Sequence, residues 1–354
     1  MNRTRRQLLQ GAAAAAVGLL PLLARAASSK SSSCRKLIKP RQLKRGDLVA
    51  LVAPSGATNA AFVETRVTNL ERMGFRVKVA KNILAVRGNT AGSVKERVED
   101  LHAMFADNEV KAVWAVRGGS GASQLLPALD YNLIRRNPKI FVGYSDITAL
   151  HLAMLRYSNL VTFHGPVASG AFTDYAATQL EAVLMNPRPE TTLYMAYGNQ
   201  REAEKSDEFK LRALTPGVAE GPLIGGNLSV LSAMIGTPYA PDWKGAILFL
   251  EEIREAPYRI DRMLTQLSQS RSFNDAAGIA LGVFRRSVGT NDDEPSLSLN
   301  QALQDHFANL RVPALYGCSF GHIADNLTLP LGIRARLDTS AQTITLLEPA
   351  VLDS

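Results

Sequence analysis

Short apolar runs alternate with stretches of helical periodicity from residue 47 to about residue 185. The runs fall at 48–53, 76–79, 112–116, 140–142 and 161–163, and their length and aliphatic content mark them as strands. Between them Phe62, Leu70 and Met73 recur near a helical period, as do Val94, Val98, Leu101 and Phe105. Strands alternating with crossover helices predict a parallel α/β sheet over residues 45–185, after an N-terminal tail at 27–44. The rhythm breaks at 186–220, where Pro187, Pro189 and a polar stretch at 198–210 read as a domain connection. Beyond it a helix at 227–235 follows Gly225-Gly226, and a strand at 246–250 precedes a helix at 260–267. Strands at 278–283 and 314–316 come next, then a β-rich tail through Leu337 and Ile344. Residues 221–354 are therefore predicted to form a second, smaller domain of mixed α/β type.

In a parallel sheet, ligand chemistry collects beyond the carboxyl ends of the strands. Four segments fall there: Ala53-Pro54-Ser55-Gly56, Arg117-Gly118-Gly119-Ser120-Gly121, Gly143-Tyr144-Ser145-Asp146 and His164-Gly165-Pro166. The third joins an apolar strand directly to a helix beginning near Ile147. Ser145 thereby sits on a sharp turn with its hydroxyl exposed beside a helix N-terminus, which is the position of a nucleophile. A Ser-Asp pair before an apolar helix also serves as a plain cap. The glycine turn at 117–121 has neither the lysine of a phosphate-binding loop nor the full dinucleotide fingerprint, so it is assigned to the oxyanion side. The expected oxyanion donors are the N–H groups of Gly119 and Asp146, with Arg117, Gly118, Tyr144 and His164 expected to line the substrate.

A serine hydroxyl needs a general base, and that base needs a third group to hold its tautomer. Among the five histidines, His102 and His306 lie in helical patterns, and His151 sits too far along the helix after Ser145 to reach back. His164, at a strand end, and His322, on the glycine-hinged loop Ser319-Phe320-Gly321-His322-Ile323, divide the base role between them. The acid is equally open, because Glu251 and Glu252 both end the run Ile247-Leu248-Phe249-Leu250 and alternation points them to opposite faces. Either could instead be a surface carboxylate paired with Arg254 or Arg259. No metal-ligand spacing occurs, and Cys318 reads as a small buried hydrophobe.

Composition changes the picture mainly at the N-terminus. Arg3, Arg5 and Arg6 precede an apolar run from Leu8 to Leu23 that closes in Ala24-Arg25-Ala26, the pattern of a cleaved export signal over residues 1–26. Thr4-Arg5-Arg6-Gln7-Leu8-Leu9 resembles a twin-arginine signal, so the expected destination is the periplasm. Cys34 follows Ser31-Ser32-Ser33, which is not the apolar pattern that precedes a lipidated cysteine. Without its first 26 residues the formal charge falls from +8 to +4, 36 basic residues against 32 acidic. That mild basicity, with no basic-aromatic stripe, argues against nucleic acid as a partner. With Cys34 and Cys318 as its only cysteines, the chain is not held together by disulfides.

Collectively the motifs resemble the serine LD-carboxypeptidases of peptidase family S66, which include muramoyltetrapeptide carboxypeptidases and microcin C7 self-immunity peptidases. The matching segments are Ala53-Pro54-Ser55, Asp100-Leu101-His102, Arg117-Gly118-Gly119, Gly143-Tyr144-Ser145-Asp146, Phe163-His164-Gly165-Pro166 and Gly225-Gly226-Asn227-Leu228. Leu250-Glu251-Glu252, Tyr258-Arg259-Ile260-Asp261-Arg262 and Phe320-Gly321-His322 complete the set. The first domain is then expected to be a flavodoxin- or class I amidotransferase-like parallel sheet. The resemblance implies a triad of Ser145, Glu251 and His322, and so resolves both ambiguities. It also implies a murein tetrapeptide substrate cut between meso-diaminopimelate and D-alanine, no metal or organic cofactor, and a homodimer. The family's glycine turn usually continues with an aromatic residue, where this chain has Ser120. Two other readings stand beside this one: a microcin C7 immunity-type peptidase acting on acyl-sulfamoyl nucleotide amides, and a catalytically silent wall-peptide binder. An arginine is the expected clamp for the substrate's terminal carboxylate, and the chain offers several.

Overall fold

A computed structural model describes residues 36–167, 172–287 and 295–353 of the chain. The export signal expected at 1–26, the tail up to residue 35 and Cys34 lie outside the described residues. Among those residues no helix is long and apolar enough to cross a membrane.

The first half builds the expected β/α alternation. Its elements are β1 (Leu48–Val52), α1 (Ala60–Arg72), β2 (Arg76–Val79), α2 (Val94–Ala106), β3 (Val110–Ala115), α3 (Tyr131–Arg136), β4 (Ile140–Gly143), α4 (Thr148–Ser158) and β5 (Phe163–His164). β1 and β4 are almost wholly buried, which is why they read as unbroken aliphatic runs rather than as alternating ones. The helices start where polar caps take up free N–H groups: Asn59 for α1, a Ser93–Glu96 capping box for α2 and Asp130 for α3. β5 begins at Phe163, because the preceding backbone at Leu160 and Val161 pairs with Ile38 instead of with β4.

The remaining elements are α5 (Asp174–Leu184), β6 (Thr191–Tyr194), α6 (Tyr197–Glu202), β7 (Arg212–Thr215), β8 (Val218–Asn227), α7 (Leu228–Met234), β9 (Ile247–Ile253) and α8 (Pro257–Ser270). They continue through β10 (Gly278–Arg285), α9 (Leu299–Phe307), β11 (Ala314–Gly321), β12 (Leu329–Pro330), β13 (Arg334–Asp338) and β14 (Thr343–Leu346). Two sheets result, a six-stranded one in the order β12-β5-β4-β3-β1-β2 and an eight-stranded one in the order β6-β14-β13-β8-β9-β10-β11-β7. The first is parallel except for β12. The second has a parallel centre, β8 to β11, with antiparallel wings.

Residues 186–220, expected as a connection, contain β6 and β7, the two edge strands of the second sheet. Edge strands keep one side in water, so their residues are half-exposed and carry little apolar signal. β12 belongs by sequence to the C-terminal half yet pairs with β5 of the first sheet, Leu329 opposite His164. Trp114, Phe105, Phe141 and Phe163 from the first half and Trp243, Phe249, Phe284, Phe307, Tyr316 and Phe320 from the second are buried in one continuous hydrophobic core. Each such ring stabilises the fold by about 1.5–3 kcal/mol through removal from water. Cys318 is among these buried groups, and burial pushes its thiol pKa up.

Candidate active site

Ser145 is held in a left-handed conformation, φ 63°, between the end of β4 and a single 3₁₀ turn, Ser145–Ile147, that runs into α4. For a non-glycine residue this costs about 1 kcal/mol or more, and the surroundings must impose it. They do so through two loops, those that follow β1 and β3. The turn at 117–121 lies against the serine so closely that a Cβ on Gly118 would fall 2.8 Å from Ser145 Cβ and 3.1 Å from its Oγ. On its other side Gly119, at φ 134°, abuts Gly56, where an added Cβ would come within 2.8 Å of the Gly56 Cα. The Asp146 carboxylate ties the loops together: Oδ2 accepts from Ser55 Oγ at 2.5 Å and from the Ala122 N–H at 2.8 Å. Buried Arg97 adds a second tie, its Nη1 donating to the carbonyls of Pro54 at 3.1 Å and Gly121 at 2.9 Å.

β9 and β11 bring the other two groups from the second sheet. Glu251 and Glu252 are both buried, so neither is the surface carboxylate paired with Arg254 or Arg259 that a polar pair at a strand end suggests. Alternation separates them as expected. Glu251 Oε2 meets His322 Nδ1 at 2.7 Å. Glu252 turns to the start of α7, accepting from Ser229 N–H at 2.8 Å, Ser229 Oγ at 2.6 Å and Asn227 Nδ2 at 3.1 Å. Gly321, at φ 117°, lets the end of β11 close over Glu251.

Burial alone would disfavour charge on His322, but the charge and hydrogen bond of Glu251, helped by Glu252, outweigh it and leave the imidazole pKa above its ordinary value. Arg254 acts in the opposite sense on the same ring. For Glu251 burial would raise the pKa, and His322 reverses this and holds the carboxyl below its ordinary value. With Nδ1 bound to Glu251, Nε2 is the nitrogen left for proton transfer. The His322 ring stands edge-on to the Tyr144 ring with centroids 4.8 Å apart, so the imidazole lies beside the residue that precedes Ser145.

The other expected residues fall into two groups. Gly119 is exposed and Gly118 and Tyr144 half-buried around Ser145, whereas His164 is fully buried and presents no surface to a substrate. Its ring is boxed by Tyr144, Phe249 and Phe320, neither nitrogen has a hydrogen-bond partner, and burial lowers its pKa to about 4. Arg117 is half-buried, donating to the carbonyls of Gly118 at 3.2 Å and Ala57 at 3.1 Å. His151 bonds the Gly143 carbonyl, His102 accepts from Asp130 N–H and His306 pairs with Asp261. The side chains of Asp146, Ser55 and Arg97 are additions to the sequence reading, which used only the Asp146 backbone. An acid directly after the elbow serine, with a serine in the loop after the first strand, is the signal that could have found Asp146 and Ser55; nothing local marks Arg97.

Sequence models of the LD-carboxypeptidase N-terminal domain and C-terminal domain match residues 49–165 and 220–337. The chain belongs to the LD-carboxypeptidase family, and it is a hydrolase. It is 40% identical over 306 residues to the "Probable murein peptide carboxypeptidase" of Bacillus subtilis, covering 86% of this chain and 93% of that protein. Among solved structures of the family's fold, it is similar to a muramoyltetrapeptide carboxypeptidase from Oxalobacter formigenes, with TM-score 0.71 and 30% identity over 84% of this chain and 97% of that one. An MccF-like protein from Bacillus anthracis gives TM-score 0.76 and 29% identity, covering 88% of this chain and 99% of that chain. For the LD-carboxypeptidase chain described here, both family matches thus contribute to one candidate site, the elbow from the N-terminal match and the Glu–His pair from the C-terminal one.

Proposed function

We propose that this enzyme is a serine carboxypeptidase that removes the terminal D-alanine from murein tetrapeptides. Ser145 Oγ attacks the amide carbonyl between the L-configured centre of meso-diaminopimelate and D-alanine, and His322 Nε2 takes the hydroxyl proton. The imidazolium, paired with Glu251, returns that proton to the leaving amine, and water then releases the acyl group by the same steps in reverse. The N–H groups of Gly119 and Asp146 hold the tetrahedral oxyanion, each donor lowering the barrier by about 3 kcal/mol. The observation that carries this reading is the left-handed Ser145 packed against the Gly118 turn, together with the 2.7 Å His322–Glu251 pair whose imidazole stands against the neighbouring Tyr144 ring. The murein assignment draws on the name of the 40% identical Bacillus subtilis relative. The pattern at residues 3–26 supports export to the periplasm, where wall peptides are at hand.

The 27% identical microcin C7 self-immunity protein MccF of Escherichia coli motivates one competing substrate, the aspartyl-sulfamoyl adenosine with which MccF has been solved in complex. The test is to incubate the purified protein separately with disaccharide tetrapeptide and with aspartyl-sulfamoyl adenosine and to resolve the products by mass spectrometry. Loss of one alanine from the tetrapeptide, with the nucleotide intact, is the expected outcome. Cleavage of the nucleotide alone would transfer the enzyme to the immunity-type reading, and cleavage of neither would favour a binding protein.

A further inference from the structure

Ser145 comes from one sheet and Glu251 and His322 from the other, so proton transfer between them needs the two sheets held in register to within about 0.5 Å. Thr148 lies where they meet. It stands three residues past Ser145 at the start of α4 and is fully buried. Its backbone N–H donates to the Ser145 carbonyl and so closes the 3₁₀ turn that carries the nucleophile. Its side-chain Oγ1 accepts from the N–H of Asn227, the last residue of β8, at 2.9 Å. Asn227 is in turn the partner of Glu251 in the parallel β8–β9 pairing. Contacts therefore run in sequence from Ser145 through Thr148 and Asn227 to Glu251, and on through the 2.7 Å bond to His322.

The local structure is built for this close approach. Gly226, at φ 143°, packs on the helix start, where an added Cβ would fall 2.5 Å from Thr148 Cγ2 and closer still to Oγ1. A side chain there would push β8 away from the elbow. The Asn227 side chain braces the same backbone from the other direction: Oδ1 accepts from the Val230 N–H of α7 at 3.2 Å, and Nδ2 donates to Glu252 at 3.1 Å. A displacement of Asn227 is thus passed to the acid strand rather than absorbed locally. The far end of α4 is fastened separately, Arg156 Nη1 donating to the Ala240 carbonyl at 3.0 Å and Tyr157 Oη to the Pro238 carbonyl at 2.9 Å. Those bonds keep the helix on the C-terminal half when the Thr148 contact is lost.

We propose that Thr148 is the positioning residue that sets the register between the nucleophile and the acid–base pair, an inference that rests on the Ser145–Glu251–His322 reading above. Thr148→Val keeps the shape and removes the acceptor. Its D-alanine release from disaccharide tetrapeptide is expected to show kcat down about 10- to 100-fold with KM nearly unchanged, because binding of the ground state does not use the alignment. Thr148→Ser keeps an acceptor and is expected to stay within about threefold of wild type. Tyr157→Phe breaks a bond of the same kind at the other end of the helix and is expected to leave kcat unchanged. The deciding readout is a double-mutant cycle with His322→Ala. Without the base there is nothing to align, so in that background Thr148→Val is expected to change the residual rate by no more than about twofold. A loss by the same factor in both backgrounds, or a Thr148→Val kcat within about threefold of wild type, would overturn the proposal. If Thr148→Val does not fold, Thr148→Ala, which also removes the acceptor, takes its place in the cycle with the same expectation. A wild type that cleaves aspartyl-sulfamoyl adenosine and not the tetrapeptide removes the murein reading alone, and the same cycle followed on the nucleotide then decides the role of Thr148. Cleavage of neither substrate by the wild type overturns both.

Discussion

Glu251→Gln isolates the electrostatic part of the site. The substitution keeps the shape of a fully buried side chain and leaves an acceptor for His322 Nδ1, while removing the charge that lies 2.7 Å from the ring nitrogen. Unit charges about 4 Å apart at an effective dielectric of about 20 attract by about 4 kcal/mol. In the proposed mechanism the active, neutral His322 becomes an imidazolium only as it takes the Ser145 proton, so most of that attraction would be lost from the transition state and little from the bound substrate. The expected result is a fall of about 1,000-fold in kcat with KM nearly unchanged. A pH signature accompanies it. His322 must be neutral to accept a proton, so activity rises with pH through its folded pKa, which Glu251 holds above the ordinary 6.5. Removing the carboxylate lets burial dominate, and the acid limb of kcat/KM moves to lower pH in the variant. Stability follows the same linkage: the raised His322 pKa stabilises the fold fully below 6.5 and ceases to do so as pH climbs through the folded value. The depressed Glu251 pKa stabilises it above 4.5, and that contribution disappears as pH falls through the folded value. D-alanine release followed with D-amino acid oxidase across the neutral range, beside a thermal melt, measures all of this. A variant within about tenfold of wild type, or with the same acid limb, would refute Glu251 as the partner that stabilises the imidazolium.

Gly118→Ala puts a methyl group 2.8 Å from Ser145 Cβ, so either the turn or the elbow must move; steady-state kinetics should show kcat down about 100-fold or more, and near-wild-type turnover would deny the turn its oxyanion role. His164→Phe replaces a ring whose nitrogens have no hydrogen bonds, so kcat/KM should stay within about tenfold of wild type, and a collapse of activity in a folded variant would return His164 to the list of candidate bases.

Much of this site is legible in the sequence because its chemistry sits where local rules are strict. A Ser after an apolar strand and before a helix has few conformations open to it, and Ser145 takes the left-handed one. Glycines that permit close approach, Gly118 and Gly119, mark where two loops touch. The central strands are legible for the same reason that they are central: buried on both faces, they carry unbroken aliphatic runs. What escapes is set by long-range contact. β6, β7 and β12 are short edge strands whose partners lie far away in the chain, so nothing local announces them. His164 has the strand-end position of a working residue, and only packing by Phe249 and Phe320, from distant strands, seals it off. Choosing between Glu251 and Glu252 likewise needs the position of α7, whose Ser229 engages one carboxylate and leaves the other to His322.

The central claim is that Ser145 is the nucleophile of an LD-carboxypeptidase. Its most direct test is D-alanine release from disaccharide tetrapeptide by purified wild type and by Ser145→Ala at equal concentration, both verified as folded by thermal melt. Release by wild type with a loss of about 10⁴-fold or more in Ser145→Ala is the predicted result. Equal release by both proteins would remove Ser145 from the mechanism and contradict the account.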